Sequence, residues 1–341
     1  MSLIKKITKI REMSSLLFLV ILFGVVGLIN SDFLTPTSLI NCLNDSVVFT
    51  LLACGIAFTI FTGEIDVSIG AILGITAAVT STMLVNGSSW IVAVMVGIII
   101  GAVIGIFNGW GVAYLGIPSL IFTLGTNGII RGSIYVYTKG AWVENLPVWF
   151  TKLSQFKLVG SLTAYYTVTL VAVIAASLIL TRTRKGKYFI AVGDNASGAT
   201  LVGIPTKKTK MLAYILSGVF AAVAGIIYSS RIGFITPTAG SGYEMRAIAA
   251  CVLGGISLSG GLGSLIGASI GAIIMSSVSR ILVFLGFSSD YDNTITGVLL
   301  ITIVVVDALA QNRSAIKNRR QRLMARTALL PPAKGEKQHE H

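Results

Sequence analysis

Few residues in this sequence could do covalent chemistry, and their spacing excludes most of it. Glu64 and Asp66 are the closely spaced acids at an expected helix boundary, and residues two apart do not share a helix face, so they make no acid–base pair. The two histidines, His339 and His341, stand in the terminal KGEKQHEH, which removes histidine catalysis and zinc ligation from the rest of the chain. Cys42, Cys54 and Cys251 lie in or beside apolar segments without a CxxC spacing and read as small buried hydrophobes. The single Gly-Lys pair, Gly186-Lys187, is followed by Tyr188, so no P-loop exists, and the run from Gly260 to Gly267 misses the dinucleotide fingerprint. The expectation is a chain with no catalytic residue, no metal and no cofactor of its own, in which ATP-driven work belongs to another subunit.

What remains is recognition chemistry. The segment 181–210, TRTRKGKYFIAVGDNASGATLVGIPTKKTK, carries seven lysines and arginines against the single acid Asp194, a bias that places it in the cytoplasm. Its centre reads as a short helix opening at Asp194 or Asn195, continuing through Ala196, Ser197, Gly198 and Ala199, and stopping at Gly203 and Pro205. Such an element, hung beneath a membrane domain, is something a cytoplasmic partner could push. Inside the apolar segments, Asn44, Asn108, Thr123, Thr126 and Asn127 are the candidates for lining a solute path, because a sugar-like solute needs hydroxyl and amide partners more than fixed charge. Asp66 reads as a helix N-cap, Glu64 has no such role, and Arg131, Arg280 and Asp307 complete the charges in or near apolar segments.

These groups must be positioned by a membrane domain. The chain is 54% hydrophobic and 11% charged with a mean hydropathy of +0.86, against about 25% charged for soluble domains. Nineteen of its 26 basic residues fall at the N-terminus, in 181–210, or beyond Gln311, so the net charge of +13 reports topology. Those clusters lack interleaved aromatic residues, which argues against nucleic acid. Apolar spans read near 14–30, 44–62, 67–85, 90–113, 117–137, 162–180, 211–230, 246–259, 264–286 and 294–310. The expected fold is therefore an all-α integral membrane protein of about ten helices with both termini cytoplasmic. Residues 1–13 form a cytoplasmic N-terminus, 14–310 the transmembrane domain, and 311–341 a basic tail expected to be disordered at its end. The first span is expected to remain uncleaved, since Leu28 to Asp32 offers no small-x-small site.

Glycines add two packing faces. Gly97, Gly101, Gly105 and Gly109 recur every four residues in the fourth span, and Gly263, Gly267 and Gly271 do so in the ninth, a spacing that lets helix backbones approach in lipid. A weak internal repeat pairs TGEIDVSIG at 62–70 with LGGISLSGG at 253–261, each at a break between apolar segments. An ion-coupled secondary transporter is a rival reading, but it needs a buried acidic or histidine relay, and the acids here cluster at expected helix ends. An intramembrane enzyme needs a nucleophile, a metal cluster or paired carboxylates.

TGEIDVSIG, YFIAVGDNASGATLVGI, SGVFAAVAGIIYSSRIGF and AIAACVLGGISLSGGLGSLIGA, in that order, resemble the membrane subunits of bacterial sugar importers of the ribose-permease family over nearly all of residues 10–312. KGAWVENLP at 139–147, SRIGFITPTAGSGYEMRAIAACVLGGISLSGG at 230–261 and the RRQRLMAR tail look most like its autoinducer-2 branch. Glu64, where the family usually has glycine, and the tail itself depart from the ribose permeases. The resemblance implies the ABC importer permease fold in the bacterial inner membrane. It implies a second permease in a heterodimer, a cytoplasmic ABC ATPase that binds ATP and Mg, and a periplasmic solute-binding protein. Gly193, Asp194, Asn195, Gly198, Ala199 and Gly203 match the family's coupling motif. The expected solute is autoinducer-2, with another monosaccharide of the ribose or rhamnose type as the alternative.

Overall fold

The computed structural model describes residues 11–288, and beyond them 291–292, 294–299, 301–302 and 305. It divides into a main unit, Met1–Leu300, and a second, Ile301–His341, described only at three helical positions. The N-terminal lysines, Asp290, Asp307, the basic tail with its histidines and much of the tenth expected span lie outside the described residues.

Thirteen helices follow in order among the described residues of the main unit up to 288. They are α1 (Arg11–Ile29), α2 (Pro36–Asp45), α3 (Val47–Phe61), α4 (Ile69–Val85), α5 (Trp90–Ala113), α6 (Ser119–Thr138) and α7 (Val148–Leu153). Then come α8 (Ala164–Arg182), α9 (Arg184–Asp194), α10 (Ala196–Leu201), α11 (Thr206–Ile232), α12 (Tyr243–Leu253) and α13 (Leu265–Phe284). Their ends carry ordinary signals: Thr35, Thr163, Thr183 and Ser264 accept a backbone N–H as N-caps of α2, α8, α9 and α13, and Gly233 at φ +83° closes α11. The all-helical expectation needs one amendment, a two-stranded antiparallel ribbon of β1 (Lys157–Val159) and β2 (Leu162–Thr163). Gly160, at φ +58°, turns it.

Helices occupy the first nine expected segments, yet length and composition qualify fewer as spans. Among the described residues four are long and apolar enough to cross a bilayer, α5, α8, α11 and α13, with α2 and α3 a fifth if their 43° bend lies within one span. The eighth segment is helical only as far as Leu253, because Gly255, Gly260, Gly261 and Gly263 all take positive φ.

α11 forms the centre of the unit, 27 residues and thus about 40 Å long. A Cβ on Gly101 of α5 would collide with the Gly218 carbonyl and Ala222 of α11, and one on Gly105 with the Tyr214 carbonyl. The glycine row therefore makes the expected close helix contact, its partner being α11, and backbone contact replaces side-chain interdigitation. The opposite face of α5 exposes Ile91, Met95, Ile99, Val103, Ile106 and Trp110. Such a stripe would be a liability in water and is the natural contact with hydrocarbon. In α13, Gly267 and Gly271 abut the carbonyls of Gly254 and Ala250, whereas Gly263 precedes the helix in a φ +131° loop. α1 joins α13 through Phe23, Phe33 and Phe284, stacked edge to face.

Candidate functional site

Two helix breaks lie side by side near the basic end of α11. The first follows α3: Gly63 N–H bonds to Ile60 O at 2.9 Å and Glu64 N–H to Thr59 O at 3.1 Å, with Gly63 at φ +78°. The second follows α12: Gly255 N–H bonds to Val252 O at 2.9 Å and Ile256 N–H to Cys251 O at 2.9 Å, with Gly255 at φ +83°. Both are the same C-terminal Schellman turn. The structural equivalence is thus Gly63 with Gly255, one residue away from the sequence pairing of 62–70 with 253–261. Only the second glycine of Gly254-Gly255 is left-handed; Gly254 remains right-handed. The breaks touch through Gly261 N–H, which donates to Phe61 O at 3.1 Å.

Side chains hold the first break. Asp66 is fully buried; its Oδ1 accepts Ser68 N–H at 3.0 Å and Ser68 Oγ at 2.6 Å, and its Oδ2 accepts Ser217 Oγ of α11 at 2.8 Å. The N-cap position of α4 is Ser68, so Asp66 is not the cap the sequence suggested but the acceptor that ties the break to α11. Asn108 of α5 donates to Ser68 Oγ at 2.8 Å, Thr123 of α6 accepts Val67 N–H at 3.1 Å, and Asn127 donates to Val67 O at 3.1 Å. Three of the five expected path residues therefore hold the break, Thr123 and Asn127 through its backbone and Asn108 through the Ser68 hydroxyl. Thr126 bonds to Phe122 O of its own helix. Asn44 is elsewhere, accepting Thr163 N–H at 2.9 Å and joining α2 to the ribbon. Glu64, which had no role from sequence, pairs with Lys210 at 2.5 Å.

The polar segment 181–210 contains two helices rather than one. α9, which the charge pattern concealed, buries Phe189 and Val192 while its lysines face outward. Asn195 ends α9 and caps α10, accepting Gly198 N–H at 2.8 Å, so the expected short helix begins where its capping chemistry indicated. A Cβ at Gly193 would collide with Phe61 O and Gly261, which seats the end of α9 directly on both breaks. Ala199 is buried within the chain, and Asp194, Asn195 and Gly203 are exposed, Gly203 at φ +81° closing α10. Sequence reasoning passed over Leu201 and Val202, which are 88% and 77% exposed at the tip of α10. Two adjacent large apolar residues in a strongly polar segment were the available signal. Between α9 and the second break an open cleft of about 520 Å³ is lined by Lys187, Ile190, Asp194 and Leu262.

At the other end of α11, Arg231 donates to Asp45 Oδ1 at 2.6 Å and Arg280 of α13 donates to Asp45 Oδ2 at 2.5 Å. One carboxylate thus joins α2, α11 and α13. Arg131 of α6 donates to the carbonyls of Ala239 and Gly240 at 2.5 and 2.7 Å, fixing the loop before α12. The intramembrane arginines noted in the sequence both have partners, as charges in lipid require.

Apolar helices facing outward, two broken segments with satisfied backbone and a short capped helix pair at the basic end define a membrane permease subunit. The family described as the branched-chain amino acid transport system permease component matches residues 38–304, and the chain belongs to it, as a permease component of an ABC importer. It is 39% identical to the autoinducer 2 import system permease protein LsrC of Enterobacter sp. (strain 638), over 98% of this chain and 96% of that one. It is 37% identical to the LsrC protein of Escherichia coli (strain K12 / DH10B) over 99% of both chains, and 38% identical to that of Salmonella typhi over 97% and 94%. No solved structure matches the chain.

Proposed function

We propose that this chain is one of two permease subunits of an ATP-driven importer that carries autoinducer-2, a small sugar-like solute, across the bacterial inner membrane. The near full-length similarity to autoinducer-2 permeases supports the solute. The sorting of charge supports ten spans with both termini cytoplasmic, and the absence of a P-loop from the sequence assigns ATP and Mg to a separate ATPase. A second, different permease would complete the path, and a periplasmic binding protein would deliver the solute.

The observation that carries this reading is the pair α9 and α10. α10 offers exposed Leu201 and Val202 outward, while α9 rests through Gly193 on both helix breaks. In the proposed mechanism the apolar tip of α10 seats on the ATPase, and closure of the ATPase moves α9 as a rigid lever against Phe61 and Gly261. The two breaks then shift together, which is alternating access by motion of packed elements. Ala199 packs inward, so replacing it tests folding, whereas the tip tests coupling.

The double variant Leu201→Asp, Val202→Asp should insert at normal levels, lose uptake of autoinducer-2 and lose stimulation of ATP hydrolysis by loaded binding protein. Uptake at the unmodified rate in vesicles supplied with ATP and binding protein would remove the coupling role. Uptake of ribose or rhamnose in preference to autoinducer-2 by the unmodified complex would replace the solute.

A further inference from the structure

The end of α11 remote from the basic segment borders a cavity of about 470 Å³ between α2, α3, α11, α12 and α13. Its apolar wall is aromatic: the rings of Phe49 and Tyr243 lie 4.8 Å apart and those of Tyr228 and Tyr243 5.8 Å apart. Its polar wall presents Asp45, Arg231, Arg246, Ser276 and Arg280. None of these was among the expected path residues, and none serves the helix breaks.

Charge and hydrogen bonding restrict what could enter. Asp45 binds Arg231 and Arg280, and Arg246 pairs with Asp292 at 2.7 Å, so the fixed charges are largely matched inside the protein. Three guanidiniums repel a cation, which excludes a coupling Na⁺ or similar ion. Three guanidiniums against two carboxylates leave a surplus of one positive charge spread over a paired network, so a guest gains more from hydrogen bonds than from its own charge. A purely apolar guest would strip water from the paired carboxylate and guanidiniums of the polar wall without replacing its hydrogen bonds. A volume of this size, with an aromatic face opposite convergent donors, matches the usual form of a small-molecule site.

We propose that this cavity is a solute subsite within the permease, taking a small neutral ring that carries several hydroxyls. The ring's C–H face would lie on Phe49 and Tyr243, and its hydroxyls would bond to the Arg280 guanidinium and the Asp45 carboxylate, with Ser276 only bordering the space. This rests on the importer reading above and adds that the path contains a saturable station beyond the binding protein. Because Asp45 joins three helices and also borders the cavity, occupancy there bears on the elements that must move.

The test uses the complete importer in proteoliposomes, with Ser276→Cys introduced into the permease. Cys42, Cys54 and Cys251 are buried, so the new thiol carries the labelling by a small thiosulfonate reagent. Saturating autoinducer-2 should slow that labelling several-fold, and inorganic phosphate at the same concentration should not. A pair of variants reads the cavity's volume independently. Ser276→Phe should lower uptake about tenfold or more by occupying the space, and Ser276→Ala should stay near normal because it leaves the space open. ATP hydrolysis stimulated by binding protein should persist in both. Unprotected labelling in a complex that imports normally overturns the subsite, as does normal uptake by a folded Ser276→Phe variant. Protection by phosphate overturns the neutral-ring assignment. An unmodified complex that imports no autoinducer-2 instead brings down the reading of the solute on which this inference rests.

Discussion

The break after α3 and the break after α12 begin with the same turn and differ in what packs around them. Both leave backbone groups outside helices between apolar segments, where each unsatisfied group that is buried costs several kcal/mol. The first break uses side chains: Asp66, Ser68, Asn108, Thr123, Asn127 and Ser217 draw three helices, α5, α6 and α11, around it. The second relies on close glycine contacts, with Ser15 of α1 donating to the Leu253 carbonyl at 2.5 Å. Gly254 abuts Gly267, Gly271 abuts the Ala250 carbonyl, and Gly260 and Gly261 lie against Gly63 and Asp194. A polar network sets a geometry through directional bonds, while glycine contacts set it through exclusion. The first break is therefore the element that neighbouring helices specify, and the second is the surface on which α9 can press closely.

The contrast can be broken most severely at the second break. Gly271→Leu puts a branched side chain where even a Cβ meets the Ala250 carbonyl and Gly254, and should cost about 3 kcal/mol or more. Recovery of monodisperse protein in detergent should be nearly abolished, and normal recovery would show that the α12–α13 contact yields easily. Asp66→Leu comes next, because it strips acceptors from Ser68 N–H, Ser68 Oγ and Ser217 Oγ, a loss of about 3 kcal/mol. Thermal unfolding should reveal it, with Asp66→Asn milder because one acceptor oxygen remains. An unchanged midpoint for Asp66→Leu would mean that packing also holds the first break, and the comparison would fail. Asn108→Leu removes one bond between helices and should cost about 1 kcal/mol. Glu64→Gly should have the smallest effect, about 0–1 kcal/mol and reduced further by salt, since the Lys210 pair is only partly buried.

Much of the architecture was legible in the linear pattern. Apolar stretches set by bilayer thickness located the helices, and the Asn195 cap chemistry located the start of α10. The glycine period in α5 announced a close helix contact, and α11 is the helix it meets. Other features were hidden. α9 was obscured because its basic face dominated the charge count, although Phe189 and Val192 lie at helical spacing. The repeat was legible as similarity but misaligned by one residue, because two adjacent glycines look alike until one takes positive φ.

Composition and span length determined that this chain is a helical membrane protein. Those properties depend on transfer to lipid and on topology, which are sums over local sequence. Tertiary structure decided the work of individual polar residues. Asn108, Thr123 and Asn127 are chemically suited to solute hydroxyls, yet they bond to the break at Val67 and Ser68, while Asp45, Arg231 and Arg280, far apart in the chain, border an open cavity. A hydrogen-bonding group serves whichever partner the fold brings within about 3 Å, and no pattern along a single helix specifies that partner.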